Sequence, residues 1–351
     1  MKVICNTPLS QSFNFKILIL FLLLSGLGNK LNAQKIIELS DYGVRSNSFE
    51  NASPALVRAI ADAAEQDSAI IRFPGGRIDL WPQGARSKEY YISNSTESDS
   101  LSKIKTVGIL LENMQNVTLE GNGTLIMAHG KMIHLAIDNS RNITVNGLRF
   151  DYERPTMSEM EVLEKTDTMV RVQVQQNSSY WIDNGKLTWY GDGWKSNSSN
   201  INLIYYRPSL ETMYYGKYSL FEQAEVVQTA PDQLKFTGDF SNGKFQEGDI
   251  LSVRDVYRDY VGVLNQYSQD VFLNDIQIHY MHGMGVVSQF SENIHIDNFI
   301  GKPRVETGRT IAAFADFLHF SGCYGKITVE NSLFSGSHDD DINVHGTHLR
   351  V

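Results

Sequence analysis

The chain has 351 residues, and its 31 lysine and arginine residues against 40 aspartate and glutamate residues give a formal net charge of −9. This acidic balance argues against a nucleic-acid partner, because cations that meet phosphates dominate such binding. It also disfavours a polyanionic substrate. The 27 glycines, 8 prolines and 11% aromatic residues are typical of a β-rich chain with many turns.

Residues 1–33 have the pattern of a secretory signal peptide. Lys2 and Lys16 precede a short apolar run, Ile17 to Leu24, and Leu31-Asn32-Ala33 offers a cleavage site. A basic start, an apolar core and a small residue at the cut characterise such peptides. The run is shorter than the about 20 residues that a spanning helix needs. We therefore expect export to the periplasm or beyond, with no membrane span after cleavage.

Residues 34–150 are predicted to hold an N-terminal cap and the first coils of a repeat fold. Ser53 to Ala64 reads as a helix with a serine cap and Pro54 at its first position. A strand, Ile70-Ile71-Arg72-Phe73, follows it. This start resembles the cap of pectin-lyase-like β-helices, and such a cap covers the apolar end of a repeat fold.

A short motif recurs in which a polar residue, often asparagine, precedes alternating apolar and polar residues. It occurs at Asn116–Leu119, Asn142–Val145, Asp270–Leu273, Asn293–Ile296 and Lys326–Val329. Alternation with period two turns one face inward, and asparagine tolerates the left-handed conformation of a tight turn. Spacings of 26 and 23 residues predict an all-β, right-handed parallel β-helix whose coils stack on one another.

The repeat is absent between residues 151 and 255. Short strands are predicted there at Met169–Val174, Lys186–Tyr190, Ile201–Tyr206, Ala224–Val227 and Gln233–Phe236, with a sixth after the turn at Gly248. Six strands over this length indicate a small β-barrel or sandwich. Because the repeat resumes afterwards, residues 151–255 are predicted to be an inserted barrel-like domain, and residues 256–351 to continue the β-helix.

The residues best suited to catalysis lie in two segments of the sequence that are one predicted coil apart. If Leu318 is aligned with Ile342, Asp316 falls over Asp340, 24 residues later, on strands about 4.8 Å apart. Clustered carboxylates push one another's pKa values apart, so that one stays protonated while another is ionised. Glycoside hydrolysis needs such a pair. Asp316, Asp339 and Asp340 are therefore the candidate catalytic residues.

The polar residues around this cluster are candidate substrate-binding groups: His319, His338, Asp341, Asn343 and His345. Three other interpretations of the cluster remain open. A calcium site would use the same oxygens, a transition-metal site would add the histidines, and a solvated acidic turn would need neither. Since no convincing metal-ligand spacing occurs elsewhere in the sequence, we expect no metal and no cofactor.

The pair Asp339-Asp340 followed by x-Ile-x-Val, with Asp316 one coil earlier, resembles the catalytic pattern of polygalacturonase-like β-helix hydrolases. The sequence is more similar to glycoside hydrolase family 110, the α-1,3-galactosidases that remove blood-group B galactose. The segments that carry this resemblance are Asp41-Tyr42-Gly43, Asn51-Ala52-Ser53-Pro54, Glu89-Tyr90-Tyr91-Ile92-Ser93-Asn94 and Gly336 to Gly346. The resemblance covers essentially the whole chain after the predicted signal peptide.

The resemblance implies a β-helix interrupted by a β-barrel and exo-acting hydrolysis of terminal, non-reducing α-1,3-linked galactose. The partners would be galactose-terminated oligosaccharides or glycoconjugates, blood-group B branched and possibly linear. It also implies inversion, no cofactor, and catalysis by Asp316, Asp339 and Asp340, without deciding which is acid and which is base. Straight stacking of Asp316 on Asp340 would instead lie near the about 5–5.5 Å typical of retention.

Two features leave the function open at this stage. Family members continue well beyond the aspartate cluster, whereas this sequence stops at Val351, so we expect it to be incomplete. A polysaccharide lyase on the same fold would use calcium and a basic groove, and a non-catalytic glycan-binding β-helix would need no carboxylates in register. The sequence does not indicate an oligomeric state.

Overall fold

The computed structural model describes residues 34–95, 101–197, 204–216, 224–255 and 257–346. The predicted signal peptide lies outside these described residues. The chain from Lys35 onward forms one compact unit. No helix in the described part is both long enough and apolar enough to cross a membrane.

Between residues 34 and 152, the described part of the chain contains one α-helix and eight strands. They are β1 (Lys35–Glu38), α1 (Ser53–Ala64), β2 (Ala69–Arg72), β3 (Arg77–Leu80), β4 (Arg86–Glu89), β5 (Ile104–Glu112), β6 (Gln115–Ala128), β7 (Ile133–Asp138) and β8 (Arg141–Tyr152). One face of α1 is buried against this first part of the fold. The helix therefore covers apolar surface, as a cap must.

The predicted serine cap of α1 is wrong. The helix begins after Ala52, which makes no side-chain capping bond, although Pro54 does occupy the first turn. The hydroxyl of Ser53 instead donates a hydrogen bond to the carbonyl oxygen of Trp81 at 2.7 Å. The Ser53 side chain therefore bonds to a residue that is distant in the sequence and does not cap the helix.

Ten strands of the inserted β-barrel domain lie in the part of it that the structure describes. They are β9 (Met157–Lys165), β10 (Met169–Val174), β11 (Ser179–Asp183), β12 (Lys186–Gly191), β13 (Trp194–Asn197), β14 (Ile204–Arg207), β15 (Thr212–Tyr215), β16 (Glu225–Ala230), β17 (Gln233–Thr237) and β18 (Ile250–Arg254). Seven of them form an antiparallel sheet and β11 to β13 form a second one. The domain has an apolar core of its own, which includes Trp189 and Phe236.

The remaining ten strands resume the β-helix. They are β19 (Val261–Gln266), β20 (Gln269–Asn274), β21 (Gln277–Ile278), β22 (Met284–Gln289), β23 (Glu292–Asp297), β24 (Ile300–Gly301), β25 (Leu318–Ser321), β26 (Tyr324–Glu330), β27 (Leu333–Phe334) and β28 (Ile342–His345). Among the described residues, connections contain three short 3-10 helices, Leu39–Tyr42, Pro208–Leu210 and Val305–Thr307.

Strands before the inserted domain pair in parallel with strands after it, so the β-helix continues across the insertion. Ile143 of β8 pairs with Val271 of β20, and Leu135 of β7 pairs with Val263 of β19. The later coils continue this register, with Val271 beside Ile294. The predicted parallel β-helix with an inserted barrel is confirmed, and the strand that follows the barrel takes the position of the next coil.

The asparagine-containing turns have the predicted conformation. Asn116, Asn142, Asp270 and Asn293 all have φ between 52° and 55°, the left-handed region that asparagine tolerates. Their side chains also stack between coils. The amide of Asn142 donates to Asn116 Oδ1 at 2.7 Å, and the amide of Asn293 donates to Asp270 Oδ1 at 3.0 Å.

Candidate active site

Two adjacent coils bring the three candidate aspartates together. Asp316 precedes β25, Asp339 and Asp340 precede β28, and the two strands pair in parallel with Leu318 beside Ile342. The amide of Phe317 donates to the carbonyl oxygen of Asp340 at 3.1 Å. The predicted alignment of Asp316 with Asp340 is therefore the observed register.

The carboxylates form a compact cluster with uneven exposure. Each of the three aspartates offers an oxygen that lies within 4.8 Å of those of the other two. Asp316 is only 1% exposed, whereas the Asp339 side chain is 50% exposed and Asp340 is also exposed. The surrounding polypeptide therefore covers Asp316, whereas Asp339 and Asp340 are open to solvent.

Asp339 has the electrostatic surroundings of an acid. Burial raises the pKa of its carboxyl group, and the charges of Asp316 and Asp340 raise that pKa further. The Arg258 guanidinium, 3.7 Å from Asp339 Oδ2, acts in the opposite direction. Repulsion within a carboxylate cluster favours the protonated form of one member, and here that member is Asp339.

Residues from the barrel and from its return to the β-helix lie beside the cluster. Partial burial raises the pKa of Tyr215 on β15, and the nearby charges of the three aspartates raise it further. Arg254, at the end of β18, donates to the carbonyl oxygen of Phe314 at 2.6 Å and lies 4.4 Å over the ring of Phe314. Sequence reasoning missed Tyr215, Arg254 and Arg258, because no local pattern relates the barrel to a coil 60 or more residues away.

Two of the candidate substrate-binding histidines make hydrogen bonds behind the cluster. His319, which is fully buried, has Nδ1 2.8 Å from Asp316 Oδ2 and Nε2 2.9 Å from His345 Nε2. The hydroxyl of Ser93 lies 3.3 Å from the same His319 Nε2. His345 is half-buried, and its Nδ1 lies 2.7 Å from the carbonyl oxygen of Gly346.

The other three candidates differ in their surroundings. His338 is buried, and neither of its ring nitrogens has a hydrogen-bond partner among the described residues. Burial, together with the charge of Arg254, holds the pKa of His338 well below its usual range, so its imidazole is neutral. Asp341 is exposed and accepts from the Ser337 hydroxyl at 3.1 Å. Asn343 has its amide nitrogen 3.4 Å from Asp340 Oδ2.

Four groups of acidic and histidine side chains in the described part of the chain have the spacing of a cation site. The aspartate cluster is one of them, and the others are Asp79-His129-Glu153, Asp255-Asp259-His282 and His295-Asp297-Glu330. Side-chain cations already lie within several of these groups. Arg77 contacts the first of these three groups, Lys131 the second, and Arg258 lies beside the aspartate cluster. The expectation of no metal and no cofactor stays a prediction.

The fold is thus a parallel β-helix with an inserted β-barrel, and the carboxylate cluster lies where β25 and β28 pair. The family profile of GLAA-B beta-barrel domain I matches residues 158–251, the strands of the inserted barrel. The α-1,3-galactosidase A of Bacteroides fragilis is 39% identical over 319 residues, which are 90% of this chain and 52% of that protein. The α-1,3-galactosidase B of Phocaeicola vulgatus is 31% identical over 327 residues, again 90% of this chain and 52% of that protein.

These matches confirm the resemblance predicted from the sequence. Along the aligned part, the chain is similar to proteins named α-1,3-galactosidase A and B, and its barrel matches the GLAA-B barrel domain. The chain spans about half the length of the curated relatives it matches. Among solved structures, the family 28 exopolygalacturonase of Yersinia enterocolitica aligns with 89% of this chain and over 44% of its own chain. The two are 12% identical, and the TM-score is 0.34.

Proposed function

We propose that this protein is an exo-acting glycoside hydrolase that removes terminal, non-reducing α-1,3-linked galactose. The observation that carries the proposal is the cluster of Asp316, Asp339 and Asp340, aligned on adjacent coils with unequal environments. Relatives named α-1,3-galactosidase A and B support the substrate class. The substrates would be galactose-terminated oligosaccharides or glycoconjugates, both blood-group B branched and linear.

In this proposal the three carboxylates divide the acid and base roles. Asp339, whose pKa is raised, donates its proton to the glycosidic oxygen as the bond from that oxygen to C1 breaks. Asp316 and Asp340 orient a water molecule and take its proton while the water oxygen bonds to C1. General acid and base groups each supply typically 10²–10⁴-fold in rate.

We propose that the anomeric configuration inverts, although carboxylate spacing alone favours retention. The oxygens lie within 4.8 Å of one another, closer than the about 6.5–9.5 Å that usually leaves room for water in inverting enzymes. A third carboxylate changes this argument, because Asp316 and Asp340 can hold water between them while Asp339 faces the leaving group. The family resemblance favours inversion as well.

The test is hydrolysis of galactose-α-1,3-galactose and of the blood-group B trisaccharide. Proton NMR of the first-formed sugar reads the stereochemistry directly, and we expect β-galactose before mutarotation. Appearance of α-galactose first would refute inversion but leave the hydrolase intact. Failure to release galactose from either substrate would refute the proposed function, with galactose-α-1,4-galactose as the control for linkage.

We also propose that the protein is exported, on the basis of the signal-peptide pattern in residues 1–33. Fractionation of cells that produce the protein, with N-terminal sequencing of the mature form, tests this. We expect a new N-terminus near Gln34 in the periplasmic or extracellular fraction. Retention of Met1 in the cytoplasmic fraction would contradict export.

A further inference from the structure

The inserted barrel contains a buried carboxylate that the proposed acid and base steps do not use. Glu159, on β9, is 2% exposed, and this burial raises the pKa of its carboxyl group. Burying a carboxylate costs free energy unless hydrogen bonds or a cation compensate for the lost water. The groups that contact the Glu159 side chain therefore indicate why an acid is placed there.

Both oxygens of this carboxylate contact one residue of the β-helix. Thr310 lies 151 residues after Glu159 in the sequence. Its backbone amide donates to Glu159 Oε2 at 3.0 Å, and its hydroxyl group is hydrogen-bonded to Glu159 Oε1. The positive charge of Arg309, the preceding residue, favours the ionised form of Glu159. The contact thus ties the barrel to the β-helix at Thr310.

Thr310 begins a short segment, residues 310–316, that ends at the buried Asp316; we call it the anchored segment. Its backbone is hydrogen-bonded to the preceding coil, where the Met281 amide donates to the Ala312 carbonyl oxygen at 2.8 Å. The carboxylate of the barrel therefore contacts the start of the segment, and the candidate catalytic carboxylate lies at its end.

The other side of the anchored segment lies against the turn that leads to the two later aspartates. The Ala312 amide donates to the Gly336 carbonyl oxygen at 2.7 Å. The His338 amide donates to the Ala313 carbonyl oxygen at 3.1 Å. Gly336 has a φ of 89°, in the left-handed region that favours glycine, and a Cβ there would lie 2.4 Å from the Thr310 carbonyl oxygen. Because this approach is so close, the anchored segment also sets the position of that turn.

We propose that Glu159 is a positioning residue for the carboxylate cluster: by binding Thr310, it fixes the anchored segment and thereby the distance from Asp316 to Asp339. This inference rests on the proposed hydrolase function. Glu159 acts through Thr310 and not on the reacting atoms, so it is not a catalytic residue. The inserted barrel thus contributes to catalysis by holding the coils that carry the aspartates.

The distance from Asp316 to Asp339 matters because it affects the acid. Burial raises the pKa of Asp339, and the charges of Asp316 and Asp340 raise it further. Like charges repel, so release of the anchored segment lets Asp316 move away from Asp339, and the pKa of Asp339 falls. Among the described residues, the charged and titratable groups that face Asp339 are Asp316, Asp340, Arg254, Arg258 and Tyr215.

Matched variants separate the hydrogen bonds from the volume of the side chains. Glu159→Leu and Thr310→Val remove bonding groups while nearly keeping volume, whereas Glu159→Gln and Thr310→Ser keep groups that can bond. The control is Val172→Ala, which opens a cavity in the barrel core. Val172 pairs with Val162 and Leu234, so its truncation weakens the barrel without removing a bond to Thr310.

The first test needs no substrate. Hydrogen–deuterium exchange of the full chain, followed by mass spectrometry, measures the protection of amides in the anchored segment. We expect these amides to exchange faster by about tenfold or more in Glu159→Leu, because the Thr310 amide loses its acceptor and the segment opens locally. Glu159→Gln and Val172→Ala should retain wild-type protection there. Unchanged exchange in Glu159→Leu would overturn the proposal.

The second test is kinetic and is run well below the melting temperature of every variant. We expect Glu159→Leu and Thr310→Val to lower kcat by about tenfold or more with a smaller change in KM. The reason is that misplacing a reacting group by about 1 Å can cost about 10²-fold in rate. Glu159→Gln and Thr310→Ser should retain most of the activity, and Val172→Ala should retain all of it.

The pH profile separates positioning from a general loss of structure. In Glu159→Leu and Thr310→Val, the alkaline limb of kcat/KM should shift to lower pH. Asp339 loses its proton more readily when the charge of Asp316 is farther away, and the acid step needs that proton. In Val172→Ala the limb should stay at its wild-type position.

The failure of this inference differs from a failure of the proposed function. Equal losses of kcat in Thr310→Val and Val172→Ala would overturn the positioning role in an active enzyme, and so would an alkaline limb that does not shift. Thr310→Val carries these tests if Glu159→Leu does not fold. If the wild type releases no galactose, the proposed function fails, and the exchange test still decides whether Glu159 holds the anchored segment.

Discussion

Asp339 and Asp316 lie on neighbouring coils, yet one is half-exposed and the other is covered. This contrast gives similar side chains different chemistry, because burial, repulsion and hydrogen bonds shift the protonation of each group separately. The raised pKa of Asp339 lets its carboxyl group keep a proton to higher pH, while Asp316 lies in hydrogen-bond contact with the His319 ring. Identical residue types can therefore serve as acid and base in one cluster.

Replacing Asp316, Asp339 or Asp340 by asparagine should lower kcat by about 10²-fold or more, because each change removes acid or base function while keeping shape. Initial rates of galactose release measure this. The matched control is Asp341→Asn, since Asp341 bonds to Ser337 outside the cluster and should lose much less activity. Near-normal rates in the first three variants would refute the site.

The raised pKa of Asp339 also predicts an effect on stability. A carboxyl group whose pKa is higher in the folded state stabilises the fold below its unfolded pKa, and this contribution is lost as pH rises through the folded value. Asp339→Asn should therefore raise the melting temperature at pH 7, by on the order of 1 °C because solvent screens a half-exposed group.

This gain should disappear at acidic pH, where Asp339 is protonated in both the folded and the unfolded wild-type protein. Calorimetry at pH 7 and near pH 3 measures both values. Asp341→Asn again serves as the control, because it lies outside the cluster. A melting temperature that falls at pH 7 would show that Asp339 makes a net favourable ion pair with Arg258.

At the scale of elements, a loop of the β-helix is held to the end of β8 by buried charges. Asp151 is fully buried and accepts from Arg304 Nε at 2.7 Å and from Arg309 at 2.7 and 2.8 Å. Burial alone would raise the pKa of Asp151, but the two guanidinium groups hold it below its usual range. Their contribution to stability is therefore present at neutral pH and is lost as pH falls.

Replacing Arg309 by methionine should lower the free energy of unfolding by about 3–5 kcal/mol, because it leaves a buried carboxylate short of a partner. Denaturant unfolding measures the change. Arg304→Met is the comparison, since the Arg304 side chain is 24% exposed whereas that of Arg309 is 4% exposed, and its loss should be smaller. An equal or larger cost for Arg304→Met would contradict this account.

Much of the element pattern could be predicted from the sequence. The coils followed from polar residues that precede apolar alternation, and Met169–Val174 was predicted with its observed bounds. In contrast, β9 was missed because its alternation is interrupted by buried polar residues. Ser158 and Glu159 are both 2% exposed, and Glu159 bonds to Thr310 from a distant loop. Such long-range partners leave no local signal.

The same limit applies to the candidate site. Register within one repeat placed Asp316 over Asp340, because apolar residues determine which strands align. The proximity of Tyr215 and Arg258 to the cluster depends on how the barrel returns to the helix, which no pattern in the sequence records. The burial of Asp316 likewise depends on three-dimensional packing.

For the molecule as a whole, we predict that galactose release is unaffected by metal chelation. The aspartate cluster has the spacing of a cation site, but Arg258 already supplies positive charge beside it, and the proposed acid and base steps use only side chains. Rates with and without EDTA, after dialysis, measure this. Loss of activity that added Ca²⁺ restores would show that the cluster holds a metal.

The pairing of β7 with β19 has a consequence for how the protein folds. Gln266 and Asp138, which are in contact there, are 128 residues apart in the sequence. Ser268 and Ser291, which make the corresponding contact between the next two coils, are only 23 residues apart. Closing the longer loop costs about 1.5 kcal/mol more in chain entropy. If the barrel folds first from its hairpins, it brings the two ends together. A destabilised barrel, for instance Trp189→Ala in its core, should then slow formation of coils that contain none of its residues.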